Sequence, residues 1–290
     1  MPSKLRFLLT ILRHRVNRQP CVCPYCGPSS PLLLLKRKKL VLNIVQCQTC
    51  KLIFRWPMNT PAEAEAYYQD QYTPEYPQVR LPSPGELREL IQKNFAGTPL
   101  DLGPKIQVLK AVRPTGRVLD YGCSWGYGTY QLAQHGFQAI GFEIAKPRAR
   151  YARQRLGVEV IDRLDDLEAL PASSFDIVFS NHVLEHLTAI KDALNLTARL
   201  LVPVGLAFHI LPNFTGATAR GGMWLKWIGE EHPLAPTIEF FGQNLPKHGF
   251  GRIRFGSSPF DDTLAAGLVH DGEKPLQTEG DELLLLASRI

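Results

Sequence analysis

Hydrophobic and polar positions follow a regular order over residues 101–290, where short apolar runs alternate with segments whose apolar residues recur every three or four positions. Short apolar runs are typical of buried strands, and the three-to-four spacing is typical of helices that pack on a sheet. Strands that alternate with helices predict a doubly wound α/β fold. The pattern predicts strands at 117–121, 137–143, 158–161, 175–180, 206–211, 252–255 and 282–288, and helices at 127–135, 147–155, 184–201 and 238–247.

The first hundred residues have a different pattern, which divides the chain into three predicted regions. Residues 5–12 are mostly apolar and are flanked by Lys and Arg, so they predict an amphipathic helix. Residues 57–84 are rich in proline and tyrosine and predict a connection without regular structure. Ser83 and Glu86 form a capping box that predicts the start of a helix. The predicted regions are 1–56, an N-terminal helix and a small module; 57–100, a linker and helical lead-in; and 101–290, the α/β domain.

Five of the six cysteines lie between positions 21 and 50. Four of them form two C-x2-C pairs separated by 20 residues, namely Cys23, Cys26, Cys47 and Cys50. This spacing is typical of a zinc site with four thiolate ligands, and the metal would stabilise a module too small for a large core. A disulfide framework is the alternative, disfavoured because nothing in the sequence indicates secretion. The module is therefore predicted to be a zinc ribbon, separable from the later domain.

Positive charge is concentrated in the N-terminal region. Residues 1–62 hold eleven of the 33 Lys and Arg residues and none of the 27 Asp and Glu residues. One interpretation is that the basic run Lys36 to Lys39 is a solvated hairpin tip and that the charge offsets the metal-bound thiolates. The other is an anionic partner, such as nucleic acid, a phosphate-bearing glycan carrier or a membrane surface. No apolar run reaches the roughly 20 residues of a membrane-spanning helix.

A glycine-containing turn lies between the first predicted strand of the α/β domain and its helix. Glycines at 122 and 126 allow a ligand to approach the backbone closely, and the following helix N-terminus favours negative charge. Glu143 ends the next predicted strand, where a carboxylate can accept hydrogen bonds from both hydroxyls of a ribose. A dinucleotide fingerprint would require glycine at positions 124 and 127, which are Ser124 and Tyr127. These features indicate a nucleotide-like cofactor other than a dinucleotide.

Several segments together resemble the successive motifs of class I S-adenosylmethionine-dependent methyltransferases. They are residues 118–128, 141–143, 174–178, 181–187 and 200–205, and residues 240–250 resemble the region before the family's final antiparallel hairpin. The N-terminal region is similar to bacterial methyltransferases with a fused zinc ribbon, many of which are associated with sugar or cell-surface glycan modification. The resemblance implies a Rossmann-like sheet with a final antiparallel hairpin, preceded by the ribbon.

The resemblance also implies a set of cofactor-binding residues. Gly122 and Gly126 would frame the methionine part of S-adenosylmethionine, Asp120 would support the loop, and Glu143 would bind the ribose. Asp162 is the candidate for the adenine amino group, with Asp166 as the alternative. Ser124 departs from the family, which commonly has glycine there. The expected cofactor-binding set is Asp120, Gly122, Ser124, Gly126, Glu143, Asp162 and Asn181.

Three histidines are candidates for a catalytic base. His182 follows the fourth strand of the α/β domain, and His186 lies one helical turn later on the same face. His232, after a tryptophan-containing segment, could reach the same cleft. His186 is interpreted more readily as a structural brace, and His182 is open between the pocket and packing. The segment from His182 to His186 also matches a metalloprotease pattern, which we discount inside a complete cofactor-binding pattern.

The function predicted from sequence is methyl transfer from S-adenosylmethionine to a sugar or glycan-linked acceptor, in the cytoplasm, with one structural zinc. A small-molecule acceptor is also open, and the acceptor could be anionic. The alternatives are an RNA methyltransferase, or a nucleic-acid-binding protein with an inactive methyltransferase fold.

Overall fold

The computed structural model describes residues 3–38, 41–70, 78–229, 231–269 and 276–290. The strands are β1 Leu32–Lys38, β2 Leu42–Cys47, β3 Ile53–Trp56, β4 Arg117–Tyr121, β5 Gln138–Phe142, β6 Val160–Ile161, β7 Phe175–Asn181, β8 Leu201–Pro212, β9 Leu234–Ala235, β10 Phe250–Ser257 and β11 Glu282–Arg289. The α-helices are α1 Ser3–Val16, α2 Pro61–Asp70, α3 Pro84–Gln92, α4 Gly103–Val112, α5 Tyr127–Gln134, α6 Lys146–Tyr151, α7 Leu164–Glu168, α8 Ile190–Leu200, α9 Trp224–Trp227, α10 Ile238–Asn244 and α11 Asp262–Val269.

The larger sheet has the order β10-β11-β8-β7-β4-β5-β6. Strands β6, β5, β4, β7 and β8 run parallel to one another, whereas β11 pairs antiparallel with both β8 and β10. Buried side chains from both faces of this sheet form two hydrophobic clusters, as expected when helices cover a parallel sheet on both sides. The predicted doubly wound sheet with a final antiparallel hairpin is confirmed.

A second, smaller sheet has the order β1-β2-β3-β9, and its last strand comes from a distant part of the chain. Phe54 of β3 pairs with Leu234 of β9, and the Arg55 N–H donates to the Pro233 carbonyl at 2.9 Å. The cysteine module also contacts α10, where the Asn244 side chain donates to the Cys50 carbonyl at 2.9 Å. Residues of the module and of the large sheet belong to one hydrophobic cluster. These contacts favour a cysteine module that unfolds together with the α/β domain, and whether the two can be separated stays a prediction.

Two sequence predictions about helices are wrong. Residues 61–70 were predicted to lack regular structure but form α2. Thr60 and Glu63 cap this helix, since the Glu63 carboxylate accepts from the Thr60 N–H at 2.9 Å and the Thr60 hydroxyl accepts from the Glu63 N–H at 3.2 Å. The helix predicted over 184–201 is divided into a 3₁₀ turn, Leu184–His186, and α8.

Helix α1 confirms the amphipathic helix predicted near residues 5–12. Ile11 and His14 are buried against the protein, whereas Leu9 and Leu12 are exposed. Glu63 of α2 forms an ion pair with Arg13 and accepts from His14 Nε2 at 2.8 Å. In the described residues, no helix combines the length and apolarity needed to cross a bilayer.

Candidate functional site

The turn between β4 and α5 has two positions, Gly122 and Gly126, that leave no room for a side chain. Gly122 has φ +80°, and a Cβ there would lie 2.5 Å from Cγ2 of Val183. Gly126 has φ +87°, and a Cβ there would lie 2.7 Å from the Cβ of Ala152. The turn lies at the carboxyl ends of the parallel strands, where open α/β sheets bind ligands.

Ser124, where the family commonly has glycine, also has a positive φ, of +52°. Its hydroxyl donates to the carbonyl oxygen of Gln78 at 2.7 Å. This hydrogen bond connects the turn to the chain that precedes α3, and it offsets part of the cost of the left-handed conformation.

Asp120, the penultimate residue of β4, is buried behind the glycine turn. Its Oδ2 accepts from the Thr129 hydroxyl of α5 at 2.8 Å. Burial raises the pKa of Asp120 to about 7, although the Thr129 hydrogen bond opposes this shift. The side chain therefore joins β4 to α5, and its expected support of the turn stays a prediction.

Glu143 follows β5 directly and lies next to the glycine turn, because the Gly122 N–H donates to the Phe142 carbonyl at 2.8 Å. The Glu143 side chain is 7% exposed, and one carboxylate oxygen accepts from the Ala145 N–H at 2.7 Å. Burial raises the pKa of Glu143, while the positive charge of Arg148 opposes the shift. A fixed carboxylate beside a turn that has glycine at positions 122 and 126 fits the ribose and methionine ends of S-adenosylmethionine.

The two remaining residues of the expected cofactor set both lie at the carboxyl ends of strands. Asp162 follows β6 and forms an ion pair with Arg153. Asn181 ends β7, and its side-chain oxygen accepts from Lys105 Nζ at 2.8 Å. Both side chains therefore have protein partners in this structure. Their expected contacts with adenine and with the cofactor stay predictions, as does the alternative at Asp166.

His182 lies between two carboxylates. Its Nε2 is 2.7 Å from Glu282 and its Nδ1 is 3.3 Å from Glu185. Burial lowers the pKa of His182, but the two carboxylates outweigh this effect and raise it to about 9. The ring is therefore protonated at neutral pH, which disfavours it as a base.

His186 and His232 lie together on the other side of Glu185. Their ring centroids are 4.7 Å apart, and His186 Nε2 lies 3.7 Å from the Glu185 carboxylate. Burial lowers the pKa of both rings, to about 4 for His186. Burial raises the pKa of Glu185, but the neighbouring imidazoles outweigh it and lower the pKa to about 2. The structure thus brings the three predicted histidines together around one buried carboxylate.

Two charged residues of this site, Lys105 and Glu282, are not among the residues predicted from the sequence. Lys105 Nζ donates to the Glu282 carboxylate at 2.6 Å. Burial raises the pKa of Glu282, but His182 and Lys105 outweigh this effect and lower the pKa to about 2. A signal for Glu282 was available. It begins β11, and the start of an antiparallel strand lies at the carboxyl edge of its parallel neighbours.

A narrow crevice opens next to the histidine cluster. Its lining comes from α2, from β3 and the residues after it, and from the regions near His186 and His232. The lining residues are Arg55, Asn59, Ala64, Tyr67, Tyr68, His186, Thr188, Glu231 and Pro233. Of the three candidate histidines, His186 is the one in this lining. The crevice has a volume of about 10 Å³, which is room for one water molecule, so a larger molecule would reach the cluster only if the lining residues moved apart.

The four predicted metal-ligating cysteines converge. The Sγ atoms of Cys23, Cys26, Cys47 and Cys50 all lie within 4.8 Å of one another, and none of the four forms a disulfide. The Cys23 and Cys50 sulfurs are 3.6 Å apart. Ligands about 2.3 Å from a tetrahedral zinc are about 3.8 Å from one another, so this spacing fits a single zinc ion.

His232 belongs to residues 213–233, the insertion. The cysteine module, which contains β1 to β3, contacts the insertion at two places. Lys38 Nζ donates to the carbonyls of Leu225 and Ile228, at 3.1 and 2.6 Å, near the end of α9. After His232, strand β9 pairs with β3. One lysine of the predicted basic run therefore binds the protein itself, and Lys39 lies outside the described residues.

Known proteins similar to this chain agree with the geometry. Residues 119–209 match the family described as "Methyltransferase domain". A ubiquinone biosynthesis O-methyltransferase from Bartonella tribocorum is 26% identical over 157 residues, which cover 51% of this chain and 57% of that protein. A protein of the same name from Xanthomonas axonopodis pv. citri is 34% identical over 113 residues, 37% of this chain and 47% of that protein. The chain thus spans about half the length of the curated relatives it matches.

Two solved structures share the fold. One is a methyltransferase from Thermotoga maritima described as a possible histamine N-methyltransferase, with a TM-score of 0.52 and 18% identity, covering 71% of this chain and 96% of that chain. The other is a methyltransferase from Archaeoglobus fulgidus, with a TM-score of 0.51 and 15% identity, covering 69% and 99%. The family match lies in the part of the sheet that carries the glycine turn and Glu143, so residues 119–209 form part of a methyltransferase domain with the Rossmann-like methyltransferase fold.

Proposed function

We propose that this chain transfers a methyl group from S-adenosylmethionine to a hydroxyl of a small acceptor. The observation that carries the proposal is the side-by-side placement of the glycine turn and the buried Glu143 carboxylate at the carboxyl edge of the sheet. The names of the curated relatives support an oxygen acceptor, since both are O-methyltransferases.

Each part of the cofactor site has its own task in this proposal. Bound S-adenosylmethionine supplies an electrophilic methyl group, so the protein's work is mainly to position the two reactants. Gly122 and Gly126 leave room for the methionine part, and Glu143 accepts hydrogen bonds from the ribose. Asp120 and Thr129 keep the turn fixed. Asp162, or alternatively Asp166, and Asn181 complete the proposed contacts.

The acceptor would approach the histidine cluster from the side of the two tyrosines of α2, where the lining of the narrow crevice would have to move apart to admit it. Its hydroxyl loses a proton on methylation, and a neutral imidazole can accept one. His186 and His232 are neutral, whereas His182 is already protonated. His186 lines the crevice, which makes its side of the cluster the proposed acceptor side.

We also propose that the four cysteines hold one structural zinc. In their closed arrangement all four ligands come from the protein, which is typical of structural rather than catalytic zinc. We place the protein in the cytoplasm, because a reducing compartment keeps cysteines available as metal ligands.

The sugar or glycan-linked acceptor predicted from sequence is a narrower form of the same proposal, because sugars offer hydroxyl groups. The nucleic-acid alternatives gain less support. Several N-terminal basic side chains are engaged with the protein: Arg13 pairs with Glu63, Arg15 donates to the Val41 carbonyl, and Lys38 binds the insertion.

The experiment that tests the proposal measures S-adenosylhomocysteine formed from S-adenosylmethionine with three acceptor classes: phenols, sugar nucleotides and short RNAs. We expect turnover with a hydroxyl-bearing small molecule and none with RNA. Turnover with RNA alone would support the RNA methyltransferase instead. Binding of S-adenosylmethionine without turnover in any class would support a binding protein with an inactive fold.

A further inference from the structure

Glu185 is a buried carboxylate without a hydrogen bond from any described residue. The side chain is 0% exposed, and neither carboxylate oxygen has a hydrogen-bond partner. The His182 ring lies 3.3 Å away but outside hydrogen-bond geometry, and its other nitrogen binds Glu282. Burying a carboxylate is costly unless a cation or several donors compensate it. Protonated His182 supplies one positive charge beside Glu185, but it shares that charge with Glu282 and donates no well-aligned hydrogen bond to Glu185. The site therefore has room for a further cation beside Glu185.

Two imidazoles present nitrogen atoms to the same carboxylate. His186 donates from Nδ1 to the Glu231 carbonyl at 2.8 Å, so in its neutral form the lone pair is on Nε2, the atom nearer Glu185. Histidines that bind metals typically donate their second ring N–H to a carbonyl or carboxylate in this way. His232 Nδ1 is buried without a hydrogen-bond partner among the described residues.

We propose that Glu185, His186 and His232 form a second metal site, distinct from the four cysteines. One ligand atom from each residue lies within 4.8 Å of the others. Two imidazoles and one carboxylate are the ligand set of several open zinc and ferrous sites, so the ion is a first-row divalent cation rather than calcium or magnesium. Three protein ligands leave at least one coordination position for water or another small ligand.

The site joins two parts of the chain that are far apart in sequence. Glu185 and His186 belong to the 3₁₀ turn after β7, and His232 belongs to the insertion, which the ribbon holds through Lys38 and β9. A bound ion would tie the insertion to the edge of the large sheet. Metal binding at this site is measured without methyl transfer, so it holds or fails separately from the proposed cofactor site. With an ion bound, the lone pairs of His186 and His232 would be occupied, and neither ring would accept the acceptor's proton.

The test uses the full chain, stripped of metal and titrated with Co²⁺. We expect two equivalents to bind. One should produce the intense charge-transfer absorption of cobalt bound by thiolates, and the other only the weak absorption of nitrogen and oxygen ligation. Zinc measured by mass spectrometry after reconstitution should likewise approach two ions per chain.

Variants then assign the second equivalent. Glu185→Gln and His232→Ala should each bind one equivalent and keep the thiolate absorption, whereas His135→Ala, at the end of α5, should bind two. Saturation of the parent chain at one equivalent, all of it with thiolate absorption, would overturn the proposal whether or not the variants fold. Two equivalents in both Glu185→Gln and His232→Ala would also overturn it.

Discussion

Substitutions in the glycine turn are expected to affect ligand binding by steric clash as well as by backbone strain. Gly122 and Gly136 have similar positive φ values, +80° and +93°. A Cβ at Gly122 would clash with Val183, whereas a Cβ at Gly136 would meet nothing within 4 Å. Both alanine variants should lose about 1–3 kcal/mol of stability from strain, but Gly122→Ala should lose in addition most of its affinity for S-adenosylmethionine.

Thermal unfolding with and without ligand separates the two effects. Gly136→Ala should melt earlier than the parent but keep the ligand-induced rise in Tm. Equal ligand-induced shifts in Gly122→Ala and the parent would show that the turn does not contact the cofactor.

Asp120 predicts a pH dependence of stability. Its pKa is about 7 in the folded chain and 3.8 as the unperturbed value, so the folded state binds the proton more tightly. The resulting stabilisation is complete below pH 3.8 and is lost as the pH rises to about 7. Urea unfolding of Asp120→Asn should therefore show a flatter profile between pH 4 and 7 than the parent, while Asp165→Asn, an exposed control, should not. Parallel profiles for Asp120→Asn and the parent would contradict the buried, protonated carboxyl.

The sequence was sufficient for residues whose neighbours follow from local order. The glycine turn and Glu143 end adjacent parallel strands, so their proximity follows from the strand pattern. The four cysteines follow from their spacing. The role of His232 beside Glu185 could not be derived, because it depends on how the insertion folds back over the sheet and on its attachment to the ribbon.

At the scale of elements, the ribbon hairpin is expected to stabilise the insertion. Lys38 donates to carbonyls at the end of α9, where a positive charge is favourable. Lys38→Ala should destabilise the chain by about 1–2 kcal/mol and increase hydrogen exchange in Trp224–Trp227. Lys36→Ala, an exposed residue of the same strand, should change neither. Unchanged exchange in Lys38→Ala would show that the contact does not hold the insertion.

Elements whose formation depends on local signals were predicted better than those that depend on distant partners. The capping box at Ser83 correctly indicated α3. Thr60 and Glu63 have the same capping-box spacing, but the prolines and tyrosines around them predict a connection without regular structure. Strand β9 has two residues, and it forms because β3 offers it an edge, which no local pattern reveals.

At the scale of the whole molecule, the shared hydrophobic cluster predicts that ribbon and methyltransferase domain unfold together. Cys47 is fully buried in that cluster, together with Phe240 and Leu211. Cys47→Ser should remove the proposed zinc and lower the stability of the whole chain in one cooperative transition. Two separate transitions in calorimetry, with the later one unchanged from the parent, would restore the separable ribbon.

The central claim is that the carboxyl edge of the large sheet binds S-adenosylmethionine, and calorimetric titration tests it most directly. The parent chain should bind both S-adenosylmethionine and S-adenosylhomocysteine. Glu143→Ala should bind each roughly 10- to 100-fold more weakly, because a hydrogen bond to a charged group contributes about 1.5–3 kcal/mol. Glu159→Ala, an exposed carboxylate before β6, should bind like the parent. Unchanged affinity in Glu143→Ala, or no binding by the parent, would contradict the account.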